Sequence, residues 1–163
     1  MGNASLESTK LDALFRESGD GQRLNVLGVT HVYKALSAQT AGRFSFWEAF
    51  VPCGQGAPPH THTNEDEAFY VLDGEIVVEV EGEARPRRAG PGSFFFGPRG
   101  RRHAFRNEGP GEAHLLIFCV PGEELDRMFG EMHTAGERAG GMPPMDQIVN
   151  IATRHGVAIS PPN

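Results

Sequence analysis

His60 and His62 stand two residues apart in the run from Gly54 to Gly74. On an extended strand, side chains with that spacing leave the same face. Glu67 has the opposite parity, so an unbroken strand would point it away from the histidines. The polar segment Thr63-Asn64-Glu65-Asp66 between them is where a turn or bulge can restore its direction. His103 lies in a second stretch punctuated by Gly and Pro, from Gly92 to Asn107. Three imidazoles and one carboxylate make a mixed nitrogen and oxygen donor set suited to a divalent first-row transition metal.

The two stretches resemble the paired motifs of the cupin family. The first motif falls on Gly54, His60, His62, Glu67 and Gly74, the second on Gly92, Pro98, Gly100, His103 and Asn107. Both keep the family spacing, and a double match of this kind is far more specific than a lone His-x-His. The resemblance covers residues 40 to 121. It implies an all-β fold, a small jelly-roll barrel, with one pair of motifs and hence one barrel. It also implies one divalent transition metal per chain, held by His60, His62, Glu67 and His103. Fe, Mn, Ni, Co, Cu and Zn all accept that donor set. Histidines that merely hydrogen bond inside a barrel are the plain alternative, and four ligand-type residues at family spacing outweigh it.

Within the family, the run Asn64 to Gly74, the Trp47-Glu48 strand before it and the Pro121-Gly122-Glu123-Glu124 segment after it resemble the quercetin 2,3-dioxygenase subgroup. That resemblance implies a metal-dependent dioxygenase acting on a flavonol-like or other enolisable aromatic small molecule, with dioxygen as second substrate. Glu67 would then be catalytic, taking the substrate hydroxyl proton. A metal-dependent cyclase, isomerase or decarboxylase could use the same site, and so could a binding protein with no turnover. Monocupins of this kind usually pair as homodimers, and Val77, apolar on an otherwise acidic outward face, suits a partner sheet.

The elements that must position these residues follow from pattern and punctuation. The chain has 163 residues, 39% hydrophobic and 22% charged, ordinary proportions for one globular unit. Its 21 glycines and 12 prolines favour many short strands joined by tight turns. The net charge of −6 argues against nucleic acid as the main partner. No apolar run approaches the ~20 residues of a membrane span, and residues 1 to 20 lack a signal-peptide core. With that, Cys53 and Cys119 read as reduced thiols in a cytoplasmic setting.

Residues 1–39 read as an N-terminal arm and first strands, with a short amphipathic helix over 5 to 17. Residues 40–121 read as the barrel core, and 122–163 as a helical extension. Strands are expected at Leu24–Ala35, Arg43–Val51, Ala68–Leu72, Glu75–Glu81, Ser93–Phe96, Arg102–Arg106 and His114–Val120, with helices at Glu123–His133 and Pro143–His155. A linker is expected over Gly136–Gly141. Phe69, Phe94, Phe96 and Phe105 are expected to line the barrel, and Glu65 and Asp66 to be exposed turn residues. Glu48 could be solvated or face the metal. Arg99, Arg101, Arg102 and Arg106 could be solvated, or could attract an anionic substrate.

Overall fold

The computed structural model describes residues 11–160. Eleven strands and two helices follow in chain order: β1 (Gln22–Val26), β2 (Val29–Ala35), β3 (Ser45–Val51), β4 (Gly56–His62), β5 (Asp66–Asp73), β6 (Ile76–Val80), β7 (Arg87–Ala89), β8 (Phe94–Gly97), β9 (His103–Arg106), β10 (Ala113–Val120), α1 (Glu123–Ala139), α2 (Met145–Arg154) and β11 (Val157–Ile159). They form two antiparallel sheets, one ordered β1-β2-β3-β10-β5-β8 and the other β11-β4-β9-β6-β7. The core lies between them, where Trp47, Phe69, Ile76, Leu115 and Ile117 are buried.

The result is a two-sheet sandwich and not a closed barrel. Short corners carry the chain from sheet to sheet, such as residues 63–65 between β4 and β5, and no ladder joins the sheet edges among the described residues. Strand β8 ends at Gly97 because Pro98 follows and cannot continue a ladder. Asn107 braces the corner where two sheets meet. Its Nδ2 donates to Val51 O at 2.8 Å and Gly111 O at 2.7 Å, and its Oδ1 accepts from Gly109 N at 2.8 Å.

Several expectations change. The strand expected over 24 to 35 folds back on itself, because Leu27 and Gly28 take positive φ (51° and 82°) and make a two-residue hairpin turn. The expected N-terminal helix is absent over residues 11–17, and residues 5–10 lie outside the described residues. Leu14 and Phe15 are exposed there, so nothing packs the apolar stripe that a short helix needs. Helix α1 runs through Gly130 and Gly136 to Ala139, because Leu125, Met128, Met132 and Ala135 continue one buried stripe. The linker therefore shrinks to residues 140–144, with Gly140 in the left-handed region as the stop. Strands β7 and β11 are additions to the expected set.

Strand β8 reads Phe94-Phe95-Phe96, and the side expected to face inward faces out. Phe94 and Phe96 are 67% and 53% exposed, while Phe95 packs inward, its ring 4.7 Å from Phe69 and 5.4 Å from His103. Three consecutive identical residues carry no parity signal, so pairing of Glu67 with Gly97 decides it. Phe94, Phe96, Tyr70, Leu72 and Phe118 leave an apolar outer surface on β8, β5 and β10. Val77, in contrast, is covered within the chain at 9% exposure and is no outward partner contact. No described helix is long and apolar enough to cross a membrane.

Asn107→Ala should unbrace the corner while leaving the strands' pattern intact. Stranding the Val51 carbonyl and the Gly109 N–H is expected to cost roughly 2–3 kcal/mol. The check is a lower urea midpoint at unchanged slope; an unchanged midpoint would remove this role.

Candidate metal centre

The four sequence-selected side chains meet between the sheets. His60 and His62 come from β4 and His103 from its neighbour β9, all in the five-stranded sheet, whereas Glu67 comes from β5 in the six-stranded sheet. The turn at residues 63–65 carries the chain across the core, which solves the parity problem by changing sheets. Pro58 and Pro59 cannot donate to a ladder, and the β4–β9 register shifts between Ala57 and His60. That shift sets His60 directly opposite His103.

All four residues are buried, and one ligand-type atom from each lies within 4.8 Å of the others. His60 Nε2 is 3.1 Å from His62 Nε2, and His103 Nε2 is 3.0 Å from Glu67 Oε2. Glu67 Oε2 also lies 3.9 Å from His60 Nε2 and 3.8 Å from His62 Nε2. The outer nitrogens face oxygens. His60 Nδ1 donates to Pro58 O at 2.8 Å and His103 Nδ1 to Arg101 O at 3.0 Å. The Glu65 carboxylate lies 3.5 Å from His62 Nδ1, and neither of those atoms has a hydrogen-bond partner. The 3.1 Å contact between the inner nitrogens of His60 and His62 is an N–H···N hydrogen bond, with His62 Nε2 free to donate because its Nδ1 has no partner. A metal between the two rings would displace that proton and take both inner lone pairs.

Electrostatics agree with a cation site. Burial pushes His60 down to about 4, partly opposed by Glu67. Burial would raise Glu67, but the hydrogen bond from His103 and the surrounding imidazoles outweigh it and hold the carboxyl at about 2. Burial lowers His103, and the Glu67 carboxylate more than reverses this, so its pKa ends above the ordinary value. Without a metal, a proton bridges His103 and Glu67. With one, that proton must leave.

Three further residues near the site emerge only from the fold. Glu65 is 1% exposed behind His62, so it is no surface turn residue. Gly97 is required by space: a Cβ there would lie 2.9 Å from His103 Cε1 and 3.1 Å from its Nδ1. His31 on β2 lines the same cavity as His60, His62 and Glu67, and burial pushes it down to about 3, so it is neutral. No local pattern signals these three, since each matters through a neighbour distant in the chain.

The remaining candidates lie elsewhere. Glu48 points out of the sandwich and pairs with Lys34 at 3.1 Å. Arg99 is held by Asp66 at 2.7 Å and Arg106 by Glu108, and no arginine among the described residues lines the cavity. Arg102 and Arg106 line an open groove that also includes His103 and borders the cavity at Gly56, Ala57, Pro58 and Phe105. Cys119 is buried, with its thiol pushed far up by burial.

The cavity holds about 80 Å³. Apolar side chains make up most of its wall, among them Val29, Phe105 and Ile117 from the sheets. Helix α1 contributes Leu125, Met128, Phe129 and Met132. The helix is pinned over it by Asp126, which accepts from Ser37 N at 2.7 Å, and by His133 near Asn25 N at 3.2 Å.

Comparison with known proteins agrees with this architecture. Residues 47–120 match the family described as the cupin domain, and this part of the chain is a cupin domain. It is similar to the polyketide synthase CurC of Streptomyces cyaneus, 35% identical over 42% of this chain and 43% of that protein. It is also similar to quercetin 2,3-dioxygenase of Bacillus subtilis, 30% identical over 55% of this chain and 26% of that protein. The chain thus spans less than half the length of these two relatives. Among solved structures, TT1209 from Thermus thermophilus is 30% identical with a TM-score of 0.51, covering 57% of this chain and 83% of that one.

Metal affinity should fall with decreasing pH, starting above the ordinary imidazole pKa of about 6.5, because His103 holds its proton most tightly. Calorimetric titration with Zn(II) between pH 8 and about 5.5 checks this; a flat profile would contradict the competition. Gly97→Ala should displace the His103 ring and lower affinity roughly 10-fold or more, as misplacing ligand support does. Wild-type affinity in that variant would show that the ring has room to move.

Proposed function

We propose that the chain is a metal-dependent cupin dioxygenase of small enolisable, single-ring compounds. The observation that carries this reading is the convergence of His60, His62, His103 and Glu67, three of which line a largely apolar cavity. These four residues would hold one divalent transition metal. The ion would supply Lewis-acid stabilisation of an enolate oxygen and, when redox-active, a route for electrons to dioxygen.

The chain's own residues do the rest. Three neutral imidazoles and one carboxylate leave a divalent ion with a net charge of about +1, which favours an anionic oxygen donor. Glu67 is ionised and buried, and its Oε2 lies among the imidazoles, where a substrate hydroxyl would approach. It can take that proton at Oε2. The apolar side chains that the sheets and α1 place around the site lower its polarity, which strengthens each charge interaction there. Both atoms of dioxygen would enter the product, so no external reductant is required.

Size narrows the substrate. A cavity of about 80 Å³ is roughly half the ~150 Å³ that takes up a benzene ring. A single hydroxyketone ring therefore enters with a small shift of α1, and a three-ring flavonol would need a far larger one. The second reading is a cyclase or isomerase that uses the same enolate without dioxygen, and the likeness to a protein named polyketide synthase suits a polyketide-type substrate for it.

The test mixes metal-loaded protein anaerobically with 3-hydroxy-4-pyranone, the chelating ring of a flavonol on its own. Its absorption band is expected to shift to that of the anion, and admitting oxygen should bleach it with matching uptake at an electrode. Glu67→Gln should slow uptake by roughly 100-fold or more, since an amide cannot accept the proton. A shifted band with no oxygen uptake would replace the dioxygenase reading with the second one, and no shift with any metal would overturn both.

A further inference from the structure

We propose that His31 anchors the far end of the bound ring, by a hydrogen bond to a polar ring atom opposite the oxygens that face the metal. This rests on the reading above, because the metal fixes the near end.

His31 is 5% exposed and lines the cavity that holds His60, His62 and Glu67. It stands on β2 of the six-stranded sheet, while the three proposed imidazole ligands stand on the five-stranded sheet. Its Nδ1 is buried without a hydrogen-bond partner among the described residues. A polar ring buried without partners costs free energy that an apolar residue of similar size would not. Nothing in the packing asks for a histidine: its neighbours are the rings of Phe129 at 4.7 Å and Trp47 at 6.2 Å. The indole Nε1 of Trp47 is likewise buried without a partner, so two unsatisfied nitrogens sit in one part of an otherwise apolar wall.

The chemistry of the ligand follows. A neutral imidazole can donate from one nitrogen or accept at the other, and Trp47 can only donate. Together they suit a ring atom that accepts, such as an ether oxygen. The ligand is then a small ring with adjacent enol and carbonyl oxygens at one end and an acceptor at the other. Apolar contact from Phe129, Met128 and Ile117 covers its faces. A ring with the same chelating end and no far acceptor would leave His31 unpaired, which is how a buried polar group discriminates between ligands of equal size.

The experiment measures binding and not turnover. Protein is loaded with Zn(II) without oxygen, its metal content is determined, and it is titrated with 3-hydroxy-4-pyranone and with catechol. The two rings have about the same size and each offers two adjacent oxygens, but only the pyranone carries an opposed ring oxygen. His31→Leu is expected to bind Zn(II) normally, to hold catechol as the wild type does, and to bind the pyranone about five- to tenfold less tightly. His31→Gln, which keeps a donor at that place, should recover most of the difference. Equal weakening of both rings would make His31 a packing residue and overturn the proposal, as would no change for either. Failure to bind Zn(II) would sink the metal reading on the metal measurement alone. Normal Zn(II) binding with no affinity for either ring would sink the anchor together with the substrate class.

Discussion

The contact between two imidazole nitrogens 3.1 Å apart, His60 Nε2 and His62 Nε2, is what the rest of the site answers to. Without a metal the two rings share one proton in a buried N–H···N hydrogen bond, and a metal would take that proton's place. The surrounding structure holds the rings there in either case. Pro58 O fixes one ring from behind, and the Glu65 carboxylate lies against the other. The Glu67 carboxylate, crossing from the opposite sheet, supplies the negative charge that a cation between them would share. Imidazoles and a carboxylate held this close by a well-packed frame need little rearrangement to take up a cation.

That frame depends on the two sheets keeping their separation. Trp47, Phe69, Leu115 and Ile117 fill the core beside the site, and Asn107 ties one of the corners between sheets. The large apolar interior stands without the site, since only a few of its side chains touch the four polar residues. The site can therefore hold costly buried charge without endangering the fold. Helix α1 performs the last part of the enclosure. Its buried stripe forms one wall of the cavity, so the volume open to a ligand depends in part on residues outside the sheet sandwich.

Enclosure by a helix also bears on how one family serves many reactions. The donor set at the bottom of the cavity comes from strands, which hold it rigidly. The cover comes from a segment beyond the matched cupin region, which ends at residue 120. Substrate size and shape can then change through α1 and β2 while the metal donors stay as they are.

The donor set was legible in the sequence because it is written in local spacing. His-x-His, the Glu five residues on and the second Gly/Pro-punctuated stretch identify His60, His62, Glu67 and His103 before any coordinates. The strands of the core were legible as well, since alternation and turn residues are short-range signals. What the sequence left open depended on contacts between distant residues. Phe94, Phe95 and Phe96 have no alternation, so only pairing with β5 chose the inward ring. Glu65 and Asp66 look alike in the chain, yet one is buried behind His62 and the other pairs with Arg99. The turn between β4 and β5 carries no sign that it changes sheets. His31 was one histidine among several until folding placed it, unpartnered at Nδ1, in the wall of the cavity. The candidate donor set was fixed by residue type and spacing along the chain, while burial and facing were decided only when the two sheets and α1 came together.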